Sequence, residues 1–339
     1  MAFCPTNVIM LICSNCFNDI ELQKAVSNEA SAFGVCDVCA QETDLVDVNI
    51  FADFFSELLH LFQPDKDGID IVNLLQNDWD IFINDEIGNT IIDYFLSLND
   101  YGYEIKEKVG YIDTVKDMVS VWDGVKKEVR EERRFFADLS FFDGNGMIEA
   151  NTTIPQNTIL YRARIIPSER TYLTKNDMGC PPKGRATAGR ANPLGIPYLY
   201  LCKNEETTYY EVRALYLDKL AIGHFKAIRD LKILDFTSTL SLYYAYIDSM
   251  SSLSEIIAKQ KVLQLISKDL SKPLRRYDSE LEYVPTQLIC EYCKINDIDG
   301  ICFNSSLHKG GINVVLFDAS VAECIKVQSR EIRDVCISR

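Results

Sequence analysis

Near residue 150 the chain changes both its charge and its hydrophobic period, so any fold it adopts must join two differently built halves. Residues 1–150 carry 29 acidic and 10 basic side chains, a net of −19, while residues 151–339 carry 21 and 25, a net of +4. The front half is thereby ill suited to clamping nucleic-acid phosphates. The plain reading is a helical domain with a solvated acidic surface; the sharper one is docking on the mildly basic half or a basic partner. Between the halves, Phe142–Asn151 (FDGNGMIEAN) has the Asp-Gly and Asn-Gly signature of an exposed connection. A length of 339 residues fits two or more domains, and 47% apolar content is enough for a sizeable core. The longest early apolar run, Val8–Cys13, is too short to cross a bilayer, and no basic cluster precedes it. A soluble, cytoplasmic protein without a membrane partner is expected.

Twelve cysteines without a secretory signal point to reduced thiols or metal ligands. Four of them, Cys13, Cys16, Cys36 and Cys39, form two CxxC pairs separated by nineteen residues. Paired knuckles of this kind suit a four-thiolate zinc ribbon, here over residues 1–44, and four thiolates leave no open position for catalysis. The zinc is therefore expected to be structural. Cys290 and Cys293 make a third CxxC, but on an amphipathic helix, Tyr283–Ile295, where the core-facing reading outweighs a redox one.

Residues 45–150 read as a helical domain. Apolar side chains recur at helical spacing over Asp47–Gln63, with Pro64 as the stop, then over Gly68–Phe82, Glu86–Leu98 and Val115–Phe136. Residues 151–339 are different. Short β-type runs occur at Thr158–Arg164, Tyr198–Cys202, Ile222–Ala227, Lys232–Phe236, Gly300–Asn304, Asn313–Phe317 and Cys324–Gln328. Helices are predicted over Glu205–Asp218, Ser251–Leu270 and Tyr283–Ile295, the first capped by Asn204. The class is α+β, with a mixed, mostly antiparallel sheet. No Gly-x-Gly-x-x-Gly follows a strand and no Walker loop occurs, which argues against Rossmann and P-loop sites. The three histidines lack the spacing of a hydrolase triad.

The richest stretch is Thr158–Arg213, with TILYRAR, GRANPLGIPYLYLC and EETTYYEVRAL in order. Arg162 and Arg190 offer planar, permanently charged forks, Tyr200 an aromatic face or a hydroxyl for ribose, and Glu211 a carboxylate on a helix. Such a set suits an anionic, ring-bearing ligand with a bond that breaks to leave positive charge, which describes a nicotinamide dinucleotide. Each residue has a plainer reading: arginines paired to core carboxylates, a half-buried strand tyrosine, a glutamate in a salt bridge. Arg164 should share a strand face with Arg162 and is a reserve anion contact. Ser305 ends a strand before an HKGG loop, where it either binds phosphate or caps a turn. His308 reads as a ribose or phosphate contact or as an exposed loop residue. Gly179–Gly189 reads as a mobile loop over the pocket or as plain surface.

Over residues 150–330 these motifs, with EYVPTQ (Glu282–Gln287) and DGICFNSS…NVVLF (Asp299–Phe317), resemble the RES family. The resemblance implies an ADP-ribosyltransferase-like fold and consumption of NAD by phosphorolysis, hydrolysis or modification of a target. It matches Arg162 and Arg190 to the family's arginines, Tyr200 to its aromatic, Glu211 to its glutamate and Ser305 to its serine, with Ser306 adjacent. Where the family pattern has proline before the serine, this chain has Asn304. The implied assignment is Glu211, Arg162 and Ser305 as catalytic residues and Arg162, Arg190, Tyr200 and Ser305 as binding residues for NAD as substrate. Inorganic phosphate and an antitoxin or inhibitory protein are the implied partners. The front end resembles the HEPN-related extension of larger RES proteins, but Arg130–Phe136 lacks the histidine of a HEPN ribonuclease. Two other readings stand beside cleavage of the nicotinamide–ribose bond. One is transfer of ADP-ribose to a macromolecule; the other is a non-enzymatic zinc-ribbon and helical binding protein with a degenerate RES domain.

Overall fold

The structure is a computed structural model and describes residues 9–144, 147–238, 240–248, 251–272 and 280–333. It divides into two compact units, Met1–Ser120 with Thr239–Lys261, and Val121–Ser238 with Val262–Arg339. The sequence places a boundary at residue 150, whereas residues 121–150 belong to the second unit and 239–261 to the first. The reason is burial: Trp122, Val125, Val129 and Phe142 sit in a core of the second unit, and Leu242, Leu253 and Ile257 in that of the first.

In chain order the first unit begins with β1 (Leu11–Ile12), α1 (Ile20–Glu29), β2 (Ala32–Val35) and β3 (Glu42–Asp47), the strands forming a small antiparallel sheet in the order β1-β3-β2. Asp19 caps α1 by accepting the Glu21 and Leu22 N–H groups at 2.9 and 3.0 Å. The sulfurs of Cys13, Cys16, Cys36 and Cys39 all lie within 4.8 Å of one another. Neighbouring pairs are 3.3 Å (Cys13–Cys39), 3.6 Å (Cys16–Cys36) and 3.9 Å (Cys13–Cys16) apart. A tetrahedral ion bonded at ~2.3 Å sets sulfur separations near ~3.8 Å, so the four could hold a metal.

Next come α2 (Ala52–Leu59), β4 (Phe62–Asp70), α3 (Ile71–Trp79), α4 (Asp85–Leu98), β5 (Lys108–Tyr111) and α5 (Asp113–Lys127). The helix predicted over Asp47–Gln63 is shorter than its apolar period, because Phe62 onward pairs with β5 as a two-stranded sheet. A β-irregularity between Pro64 and Ile69 accommodates the proline, which has no N–H for the ladder. The helix predicted over Val115–Phe136 ends as α at Lys127 and continues as one π turn, Glu128–Glu132, closed by Arg133 N–H to Glu128 O at 2.8 Å. Phe17, Phe51, Phe54, Phe55 and Phe82 form the aromatic centre of this unit's core.

The second unit continues with α6 (Ser140–Gly144), β6 (Thr152–Ile154), β7 (Ile159–Ile165), β8 (Leu199–Cys202), α7 (Glu205–Glu211), β9 (Lys219–Ala227) and β10 (Leu231–Asp235). Of the expected Phe142–Asn151 connection, residues 145 and 146 lie outside the described residues. Then follow α8 (Leu242–Asp248, first unit), α9 (Leu253–Ser271), α10 (Val284–Ile295), β11 (Gly300–Asn304), β12 (Ile312–Leu316) and β13 (Ala322–Glu331). Eight strands make one sheet in the order β13-β9-β7-β8-β12-β11-β10-β6. Only the β10–β11 pair is parallel, and a long connection joins those two strands. The α+β class and the mostly antiparallel sheet are as the sequence predicts.

The sheet sorts its side chains with a period of two. Leu234, Ile301, Phe303 and Val315 enter a core shared with α10 and residues 262–270 of α9, while Ile233, Cys302, Val314 and Leu316 enter the other. Cys290 and Cys293 are fully buried in the first of these, and burial pushes both thiols up, which rules them core residues. Among the described residues no helix is long and apolar enough to cross a membrane.

Gly300 opens β11 directly against β12, where a Cβ would collide with the Val315 carbonyl oxygen. Gly300→Ala is expected to cost about 1–3 kcal/mol through overpacking against backbone that cannot yield. Urea unfolding monitored by circular dichroism checks this, and an unshifted midpoint would contradict the β11–β12 register.

Candidate functional site

β7 stays paired with β9 along its whole length but meets β8 through one residue pair, Tyr161 with Cys202. Beyond that pair the two strands part, and a cleft of about 500 Å³ lies alongside, wholly within the second unit. Arg162, Arg190, Tyr200 and Glu211 all line it, as does Ser306. Four residues from three separate motifs are thus brought to one cavity.

Glu211 is the last residue of α7, a helix capped as predicted by Asn204, whose side chain accepts the Thr207 N–H at 2.8 Å. The helix was predicted to reach Asp218. It stops at Glu211 because Arg213 and Leu217 take left-handed backbone conformations, φ 51° and 67°, with no glycine to announce them. The Glu211 side chain is exposed and forms no salt bridge with a described residue. Its Oε1 accepts hydrogen bonds from Ser305 Oγ at 2.6 Å and Asn313 Nδ2 at 2.8 Å. Oε2 accepts none from a described residue, so one oxygen is anchored and the other is left for a ligand.

Ser305 is not itself a lining residue. Its Oγ also accepts the N–H groups of Leu307 and His308, both at 3.1 Å, which is the turn-capping arrangement. It therefore steadies the carboxylate and the loop together. Asn313 was missed by sequence reasoning. It is a buried amide on β12 that donates to Glu211 and accepts the Cys202 thiol at 3.3 Å. Burial, and then the Glu211 charge, push that thiol up to about 12, so it stays a donor. The available signal was a single amide inside an otherwise apolar β-run, INVVLF.

Arg162 is half-buried on β7. Burial, then the adjacent Arg164 guanidinium, pull its pKa below the usual arginine value. It forms no ion pair with a described residue, and its Nη1 is buried without a hydrogen-bond partner. An uncompensated buried cation is costly, and a bound anion would relieve it. Arg164 is not part of the cleft: its Nη2 donates to the Gly179 carbonyl at 2.6 Å, and it lines a separate neighbouring cavity. Arg162 lines that second cavity too, so a shared strand face brings the two arginines to one neighbouring cavity while only Arg162 reaches the cleft.

Arg190 sits on a tight turn over residues 189–192. Its Nη1 donates to the Asp269 carbonyl at 2.7 Å, and its guanidinium lies 5.3 Å from the centre of the Tyr283 ring. The turn is held from α10, where Thr286 Oγ1 donates to the Arg190 carbonyl at 2.6 Å and Gln287 Nε2 to the Gly189 carbonyl at 2.7 Å. That is the local purpose of the VPTQ segment. Tyr200 braces the same turn: its hydroxyl donates to Asn192 Oδ1 at 2.8 Å and accepts the Ala191 N–H at 3.2 Å. Burial raises its pKa and keeps it protonated. The hydroxyl is thereby occupied, which leaves the ring, not the oxygen, for a ligand. A Cβ on Gly189 would sit 2.7 Å from that hydroxyl and 2.6 Å from Asn192 Oδ1, so only glycine fits.

Residues 187–189 of the expected loop form cleft wall. His308 does not line the cleft; its ring stacks on Tyr210 at 4.5 Å, and Nδ1 lies 2.9 Å from Thr207 Oγ1.

Fold and site together define an α+β domain whose mostly antiparallel sheet carries a cleft lined by arginines and one anchored carboxylate. Residues 159–335 match the model of the RES domain, and the chain belongs to the RES domain family. Part of it is similar to a chain in the crystal structure of the M. tuberculosis MbcT-MbcA toxin-antitoxin complex. The TM-score is 0.32 and the identity 17%, over 56% of this chain and 91% of that one. No curated protein matches the chain.

Tyr200→Phe removes the brace and strands the Ala191 N–H and the Asn192 side chain. A loss of about 1–3 kcal/mol is expected from those unsatisfied groups, read as a lowered unfolding midpoint. An unaltered midpoint would mean that the turn is held without the hydroxyl.

Proposed function

We propose that the cleft binds NAD and breaks its nicotinamide–ribose bond. The observation that carries the reading is the common lining of Arg162, Arg190 and Glu211, with the carboxylate anchored through one oxygen only. A cavity of about 500 Å³ is in the range of small-molecule sites. The guanidinium groups suit the two negative phosphates of the dinucleotide, and the Tyr200 ring suits stacking on a flat heterocycle.

In the reaction, the bond between ribose C1′ and the pyridinium nitrogen breaks and its electron pair leaves with neutral nicotinamide. Positive charge develops on the sugar. A carboxylate held beside it, with one oxygen already fixed by Ser305 and Asn313, stabilises that charge with little reorganisation. Phosphate or water then forms a bond to C1′ through oxygen and gives up a proton. Glu211 is the catalytic residue, Arg162 and Arg190 bind, and Ser305 acts through Glu211 as a positioning residue. The NAD consumption implied by the family resemblance supports the same reading.

The four cysteines are proposed to hold zinc. Burial, and then the Cys39 thiol, push the Cys13 thiol up to about 12, and burial pushes the Cys16 thiol up as well, so a cation is needed for these two to ionise. A closed Cys₄ set supplies folding stability to the first unit and no chemistry.

Purified full-length chain incubated with NAD should release nicotinamide, and Glu211→Gln should slow release by roughly 10²-fold or more while leaving the circular dichroism spectrum unchanged. No release by the intact chain would overturn the reading, and mass spectrometry of the ADP-ribose product would identify the acceptor. Elemental analysis should find one zinc per chain, lost in Cys36→Ser together with a lower thermal midpoint. A metal-free chain of equal stability would end the zinc assignment.

A further inference from the structure

We infer that Arg213 is a further ligand-binding residue of this cleft and contacts a phosphate oxyanion at its mouth, an inference that rests on the reading above. Arg213 lines the cleft two residues beyond Glu211, and its side chain is exposed. It makes no side-chain hydrogen bond or ion pair with a described residue. Arg170, Arg229 and Arg330, also exposed in this unit, are engaged with Asp177, Asp299 and Glu205, while Arg134 and Arg185 have no such partner among the described residues and do not line the cleft.

The backbone adds an independent observation. After α7 the Arg213 N–H donates to Tyr210 O at 2.9 Å and the Ala214 N–H to Tyr209 O at 3.0 Å. These are the two bonds of a Schellman closure, and they put Arg213, at φ 51°, in the position that glycine fills most readily. An arginine there is held against its backbone preference. Ala40 and Leu217 take the same conformation, so it is the surroundings of Arg213 that give its side chain a task. The surroundings say which: of the charged residues lining the cleft, three are arginines and Glu211 is the one carboxylate. A third fork at the carboxylate end suits a doubly charged oxyanion.

The phosphate can come from the bound dinucleotide or from free inorganic phosphate, and titration calorimetry on the full chain separates the two. ADP-ribose and inorganic phosphate serve as probes, against wild type, Arg213→Gly and Arg213→Lys. Arg213→Gly should bind at least one probe about tenfold more weakly, with Arg213→Lys in between and a thermal midpoint for the glycine variant no lower than wild type. Weakening of ADP-ribose alone assigns the contact to the dinucleotide; weakening of inorganic phosphate alone assigns it to a free anion. Equal affinities for both probes in wild type and Arg213→Gly overturn the inference, as does a wild-type chain that binds neither. Probe binding does not require turnover, so a chain that releases no nicotinamide yet loses phosphate affinity in Arg213→Gly refutes the reaction and keeps this contact.

Discussion

The single residue pair between β7 and β8 is the constraint from which the site follows. Because the two strands part after Tyr161 and Cys202, the guanidinium of Arg162 lies at the edge of a cleft, half-buried and without a counter-ion among the described residues. A low-dielectric wall strengthens the field of such a charge, which is why an anion is the occupant we propose. The cleft is thereby electrostatically prepared before anything binds.

In the same cleft, Glu211 is prepared by hydrogen bonds rather than by burial. Ser305 and Asn313 both donate to one oxygen, and Asn313 is in turn held by the Cys202 thiol, the residue that marks the parting of the strands. The carboxylate and the strand geometry are therefore mechanically linked through β12. On the other wall the 189–192 turn is braced from two directions, by the Tyr200 hydroxyl and by Thr286 and Gln287 on α10. Charged groups held this way lose little entropy on meeting a ligand, which is where preorganised sites gain over flexible ones.

The first unit is built on other principles. An aromatic core and a cluster of four sulfurs organise it, and residues 239–261 complete it from far along the chain.

What the sequence alone determined were features written within a few residues: the paired CxxC spacing, the change from helical to alternating period, the Asn204 cap, and the arginine and glutamate motifs that converge on one cleft. Tertiary structure decided the rest. The donors that anchor Glu211 lie 94 and 102 residues away, and the lone amide of INVVLF does not say which carboxylate it serves. The Tyr200 hydroxyl reads from sequence as a ligand group and is taken up by a turn eight residues back. Arg164 shares a strand and a second cavity with Arg162 yet does not line the cleft, and α7 is followed by a left-handed arginine where no glycine gives warning. Period and capping are set by short-range sterics and backbone hydrogen bonds, so they survive as patterns in the chain. Partnership across a sheet depends on strand order and on where two strands separate, and neither is encoded next to the residues it affects.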